Sequence, residues 1–268
     1  AGSTVFTPPL NWTVRTGENW AVVGGNGTGK TTLVDLISGE NVLGYTQDIT
    51  LFGRRKGSGE SVWSIKENLG VISTATHMSY ADFADPEVIA HARANGFARG
   101  EGAVSTWDVV CSGFFDSVGM YKELGVAQRR LAVEWIGRFG LEDLVVPPPA
   151  RQAPPISSRL AAHSPGYAAA ARRAADVLRA KDGSAGRNFF HLSFGQQKLV
   201  LLCRAVVKSP RLLLLDEPTH GLSSVNRQRL LGMLSTLAGD VTIALVLVTH
   251  RQDEIDQLGF EKVLRLDS

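Results

Sequence analysis

Little in this chain points to a disulfide scaffold or a membrane span. Only two cysteines, Cys111 and Cys203, occur in 268 residues. They stand far apart and match no zinc-ligand or redox-pair spacing, which fits a reducing compartment: the cytoplasm, or an organelle of a eukaryotic cell. No apolar run approaches the roughly 20 residues that a membrane-spanning helix needs. The best, Thr242 to Val248, is of strand length. An excess of one charge is also missing. The net charge is +2, so no strong electrostatic attraction to nucleic acid or a membrane surface follows. Ala1 to Pro9 is small, polar and proline-containing, unlike a secretory signal. What remains is ordinary for a globular protein: 44% hydrophobic and 20% charged residues, in a length that suits one or two compact units.

Against that background one stretch stands out. Gly24-Gly25-Asn26-Gly27-Thr28-Gly29-Lys30-Thr31, continued by Thr32, fits G-x-x-x-x-G-K-[ST]. Trp20 to Val23 before it reads as a buried strand, and Thr32 to Ile37 after it as a helix. Glycines let the backbone curl around phosphate oxygens, and N–H groups at the helix start point at them. Lys30 is expected to bridge the β- and γ-phosphates of a nucleotide, and Thr31 to ligate Mg²⁺.

Elsewhere the pattern alternates. Leu10 to Val14 alternates apolar and polar residues, as a half-buried strand does. Leu43 to Trp63, with its glycines, reads as short antiparallel strands and turns. The basic turn Arg54-Arg55-Lys56 reads as a solvated tip. Leu69 to Ser73 is a further core strand. From Asp85 to Leu144 the periodicity is helical, with Ser105 as a cap and Gly140 as a stop. Residues 146 to 187 are rich in Pro, Ala and Arg and read as an insertion of loop and basic helix. Phe194 to Val207 and Val225 to Leu237 read as helices. Arg211 to Asp216 and Val241 to Thr249 read as buried strands, and Phe260 to Leu266 as an edge strand. Such alternation predicts an α/β fold with a mostly parallel sheet.

Two further segments carry chemistry. Leu212 to Leu215 is a buried strand that ends in Asp216 and Glu217. Asp216 would reach Mg²⁺, and Glu217, one residue on, would polarise an attacking water. Leu192-Ser193-Phe194-Gly195-Gln196-Gln197 precedes a helix. Ser193 is its N-cap, and the first-turn N–H groups make an anion site.

In this order the motifs resemble those of the ATP-binding-cassette ATPases. Ser193, Phe194, Gly195 and Gln196 resemble the family's signature motif, with Phe194 in place of a glycine. Asp216-Glu217-Pro218-Thr219 resembles its metal and base segment, and His250 its switch histidine. The resemblance implies a P-loop NTPase domain of the ABC type, with an antiparallel β subdomain and a helical subdomain. Residues 1–75 and 188–268 would form the core and β subdomain, and 76–187 the helical subdomain. It also implies ATP and Mg²⁺ as ligands, hydrolysis to ADP and phosphate, and Lys30, Glu217 and His250 as catalytic groups. Thr31 and Asp216 would hold the metal. The signature residues would act on the nucleotide of a second cassette, in the same full-length chain or a homodimer.

A narrower resemblance rests on Leu51 to Lys66 and Ser112 to Gly119. Both segments look like those of the molybdate-transport, photorepair-type ATP-binding proteins, which implies a soluble tandem protein and a chain cut from something longer. Alternatives are an energy-coupling subunit with a transmembrane partner, a regulatory module of weak hydrolysis, and a nucleic-acid-associated ATPase. Three positions depart from the family pattern. Thr74, with His77 nearby in what reads as a solvated loop, stands where a glutamine is usual. Ser223 replaces an aspartate. The adenine-stacking aromatic falls at or before Ala1, leaving Phe6, which reads as core.

Overall fold

The computed structural model describes residue 6 and residues 9–59, 61–85, 87, 104–120, 122–145 and 187–266. The expected insertion, apart from Arg187, lies outside them. Seven strands are described: β1 (Asn19–Gly24), β2 (Thr50–Leu51), β3 (Arg54–Arg55), β4 (Leu69–Ile72), β5 (Leu212–Asp216), β6 (Ala244–Val248) and β7 (Lys262–Leu266). The helices are α1 (Lys30–Ser38), α2 (Val62–Glu67), α3 (Thr74–Ala84), α4 (Thr106–Ser112), α5 (Val126–Arg138), α6 (Phe194–Val206), α7 (Ser224–Ala238) and α8 (Gln252–Leu258).

Five strands form a parallel sheet in the order β4-β5-β6-β1-β7. Side chains alternate between its faces. Val22, Leu212, Leu214, Ala244, Val246 and Val248 pack with Leu33, Val34 and Ile37 of α1. Their neighbours Ala21, Leu213, Leu215, Leu245 and Leu247 are just as buried. Burial on both faces explains why β5 and β6 read as unbroken apolar runs. Leu10 to Val14 keeps its alternation, with Leu10, Trp12 and Val14 packed on this core, but it joins no sheet.

β2 and β3 pair antiparallel, Thr50 with Arg55 and Leu51 with Arg54. Phe52 (φ 53°) and Gly53 (φ 83°) between them both take positive φ, as a two-residue type I′ turn requires. The basic turn is not a solvated tip throughout. Lys56 is buried, and its Nζ donates to Leu36 O at 2.6 Å, in the last turn of α1. The negative end of that helix attracts the ammonium inward. Next to it, α2 replaces the expected strand and turn at Val62 and Trp63; Ser61 caps it by accepting from Ser64 N.

The chain divides into two compact units: Ala1–Ser73, Ser209–His220 and Leu230–Ser268 in the first, Thr74–Lys208 and Gly221–Arg229 in the second. Residues 188–208 and 221–229, expected with the core, therefore belong with the helices of the second unit. There α6 lies against α4 and is buried along nearly its whole length. Gly113 makes the approach possible, since a Cβ at that position would sit 2.0 Å from Arg204 O. Arg204 is itself buried and donates through Nε to Tyr80 Oη at 2.5 Å and through Nη2 to Ser117 O at 3.2 Å. Lys208 pairs with Asp116. The segment Ser112 to Gly119 thus wraps the C-terminal half of α6. Cys111 and Cys203 are free and buried, and burial pushes both thiols upward in pKa, which leaves them inert. Among the described residues no helix is long and apolar enough to cross a membrane.

Candidate functional site

Strand register decides which residues can meet. Asp216 of β5 pairs with Val248 of β6, and Val248 pairs with Val22 of β1. The carboxyl ends of three neighbouring strands are therefore level. From that edge leave Gly24 and its loop, Glu217, and Thr249 with His250. An open parallel sheet binds ligands at this edge.

The loop from Gly24 to Gly29 owes its path to its glycines at two points. A Cβ on Gly24 would lie 2.4 Å from Leu266 O of β7 and 2.6 Å from Thr28 Oγ1. Gly27 (φ 82°) and Gly29 (φ 88°) hold left-handed backbone. Thr28 Oγ1 closes the loop by donating to Gly25 O at 3.0 Å. Gly25, Asn26 and Gly27 are exposed at its tip. Lys30 is buried and its Nζ donates to Gly24 O at 3.0 Å and Gly25 O at 2.6 Å. Gly29 offers α1 no side-chain cap, so the first-turn N–H groups, Thr31 and Thr32 included, are left for an anion. Phe6 lies against Gly29 and the core.

Thr31 Oγ1 donates to Asp216 Oδ2 at 2.8 Å. Burial, then the charge of Glu217, raises the Asp216 pKa, while the Thr31 bond and Lys30 oppose the rise. Beside it Glu217 has φ 45°, a left-handed backbone that is uncommon outside glycine and costs on the order of 1–3 kcal/mol. Its N–H donates to Val248 O at 3.0 Å, and its Oε1 lies 3.2 Å from His250 Nδ1. The structure thus gathers the loop, Lys30, Thr31, Asp216, Glu217 and His250 within the first unit. One hydroxyl and one carboxylate suit Mg²⁺, which keeps several waters and takes phosphate oxygens as further ligands. Among the described residues there is no cluster of three or more His, Cys, Asp or Glu that would favour another metal.

The signature residues belong to the second unit. Ser193 caps α6 in a capping box: Gln196 N donates to Ser193 Oγ at 3.3 Å, and Ser193 N to Gln196 Oε1 at 3.0 Å. One first-turn N–H is thus already taken. A Cβ on Gly195 would press on Asn226 at 2.4 Å. Phe194 is half exposed and stacks on His77, with ring centroids 4.4 Å apart. His77 is the main surprise. It lies inside α3 and is buried, and its Nε2 is 2.8 Å from Gln197 Oε1. As the carboxamide oxygen only accepts, Nε2 carries the proton. Ser223 Oγ accepts from Asn226 N at 3.5 Å at the start of α7. Sequence reading had Thr219 only as the end of the metal and base segment and Thr249 only as the end of a strand, and it passed over Glu254, which carries no motif signal alone.

The family model described as ABC transporter matches residues 8–220. The chain belongs to the ABC transporter family. ModF of Escherichia coli (strain K12), an ABC transporter ATP-binding protein, is 33% identical over 245 residues, covering 91% of this chain and 38% of that one. An uncharacterized ABC transporter ATP-binding protein of Schizosaccharomyces pombe is 27% identical over 252 residues, covering 92% and 38%. The chain thus spans well under half the length of these two relatives. Among solved structures, cbiO1 from Clostridium perfringens, part of the ABC transporter complex cbiONQ, superposes with a TM-score of 0.58 at 20% identity over 93% of this chain and 74% of that one. A dimeric bacterial ABC transporter cassette gives 0.55 at 17% identity, over 97% and 85%. The fold is that of an ABC ATP-binding cassette: a P-loop core with a parallel sheet, a small antiparallel pair and helices.

Proposed function

We propose that this chain hydrolyses ATP to ADP and phosphate, completing each site with the signature helix of a second cassette. The carrying observation is the pairing of two contacts at one sheet edge, Thr31 with Asp216 at 2.8 Å and Glu217 with His250 at 3.2 Å. The loop amides from Gly25 to Thr31 and Lys30 Nζ bind the β- and γ-phosphates, the lysine exchanging its carbonyl partners for phosphate oxygens. Thr31 Oγ1 and Asp216 hold Mg²⁺, which when bound neutralises charge on the phosphates. Glu217 orients a water in line with the γ-phosphorus and accepts its proton as the oxygen–phosphorus bond forms. His250 donates from Nδ1 to Glu217 and so holds that carboxylate in place. The oxygen bridging the β- and γ-phosphorus leaves on ADP.

Ser193 and the first amides of α6 serve as the lid over a neighbour's γ-phosphate. The rest of a ModF-like protein exceeds this chain in length, which leaves room for another cassette. That supports a tandem-cassette protein, and a homodimer would use the same faces.

Glu217→Gln in the full-length protein tests the reading. Turnover is expected to fall at least about 100-fold, the usual span of general-base loss, with ATP affinity retained and an ATP-bound closed form accumulating. Unchanged turnover would remove Glu217 as the base. Co-purification with a membrane protein would instead favour a transporter subunit.

A further inference from the structure

Glu254, on α8, lies four residues beyond His250 and is completely buried. A carboxylate without partners would not be stable there. This one has them on two different loops. Its Oε1 accepts from Thr219 Oγ1 at 2.5 Å, and its Oε2 from Thr249 Oγ1 at 2.9 Å. Arg251 Nε lies 3.4 Å from Oε1. Thr219 follows Glu217 by two residues on the loop leaving β5. Thr249 immediately precedes His250 on the loop leaving β6. One side chain therefore ties together the backbones that carry the general base and the switch histidine.

The tie matters because, beyond the backbone bond from Glu217 N to Val248 O at 3.0 Å, little else holds those two groups. Their side chains are 32% and 53% exposed, so packing does not fix the 3.2 Å contact. It is fixed from beneath. Thr249 N donates to Val22 O at 3.2 Å, and Thr249 Oγ1 also accepts from Arg251 N at 3.1 Å. Its hydroxyl thus links Arg251 N, at the N-cap of α8, to Glu254, whose other oxygen holds Thr219. At Glu217 the backbone is left-handed and strained, and strain persists only where surrounding contacts over-determine it.

We infer that Glu254 is a positioning residue that sets the Glu217–His250 geometry through Thr219 and Thr249. This rests on the hydrolytic reading for its kinetic consequence, but not for its geometric one. Two readouts on the full-length protein separate them. The first is kinetic. Thr219→Val keeps shape and removes one hydroxyl; Thr219→Ser keeps the hydroxyl. The Val variant is expected to lose about tenfold in kcat with ATP Kd within twofold, and the Ser variant to recover most of it. The second is the NMR signal of the His250 ring. Glu254→Gln and Thr219→Val should move it in the direction that Glu217→Gln does. Thr249→Val offers the same test if Glu254→Gln fails to fold. His250 signals unchanged from wild type in Thr219→Val and Thr249→Val would overturn the inference, as would a kcat loss that merely tracks ATP affinity. Should the wild type hydrolyse no ATP, the hydrolytic reading falls, and the ring signal alone decides whether Glu254 positions the pair.

Discussion

At the scale of the residue, the most local features were the most legible. The loop from Gly24 to Thr31 needs only its own glycines, a strand before and a helix after, all contiguous in sequence. His77 is the opposite case. Nothing around Thr74 announces that its ring meets Phe194 and Gln197, some 120 residues away in the chain. Burial, in first place, lowers its pKa, with Gln197 opposing and Lys198 adding to the fall. A stability consequence follows. The unfolded histidine takes a proton near pH 6.5, whereas the folded one does so only at lower pH. Between those values the unfolded state binds more protons, so stability falls as pH drops below about 6.5 and is fully present above it. Urea midpoints at pH 7.5 and 5.5 should separate more in wild type than in His77→Gln, which keeps polarity without titrating there. Parallel pH profiles for the two proteins would show that His77 pays no such penalty.

At the scale of the element, strands buried on both faces declared themselves, because apolar runs of strand length that end at turn residues suit a sheet covered on both sides. Leu10 to Val14 shows the limit of that signal. Its alternation reports burial faithfully, yet alternation says nothing about whether a ladder partner is present. α2 was missed for another reason: six residues are too short to display a helical period, and the cap at Ser61 was the sole available cue. Two glycines test how elements pack. Gly113 sits where a Cβ would meet the Arg204 carbonyl at 2.0 Å, a backbone atom that α6 cannot move alone. Gly113→Ala should destabilise by at least about 2 kcal/mol, within the range of overpacked cores. Gly232, inside α7, has nothing within 4 Å of its would-be Cβ. Gly232→Ala should stabilise by about 0.5–1 kcal/mol through helix propensity and chain entropy. Urea unfolding of both variants checks the pair. Equal effects would mean that the α4–α6 approach is softer than the geometry implies.

At the scale of the whole molecule, the two halves of the proposed chemistry belong to different compact units. The phosphate loop, Asp216, Glu217 and His250 belong to the first, and Ser193 to Gln196 to the second. Sequence order alone could not reveal this division, because residues 188–208 and 221–229 interrupt the core strands and fold with the helices. It makes nucleotide-dependent protection a discriminating measurement. ADP and ATP both place phosphates in the loop, so either should slow hydrogen exchange at the first turn of α1 and along β1. A γ-phosphate is needed to draw in a signature helix, so the amides of Phe194 and Gly195 should slow only with ATP. The comparison uses Glu217→Gln full-length protein with Mg²⁺, so that ATP persists. Ligand held at about 100 times its Kd stabilises the bound form by about 2.7 kcal/mol, enough for a protection change near 100-fold where exchange requires opening of that form. Equal protection of Phe194 and Gly195 by ADP and ATP would mean that α6 does not sense the γ-phosphate. No protection by either would mean that the signature residues close over no nucleotide, leaving a cassette that binds ATP through one unit only.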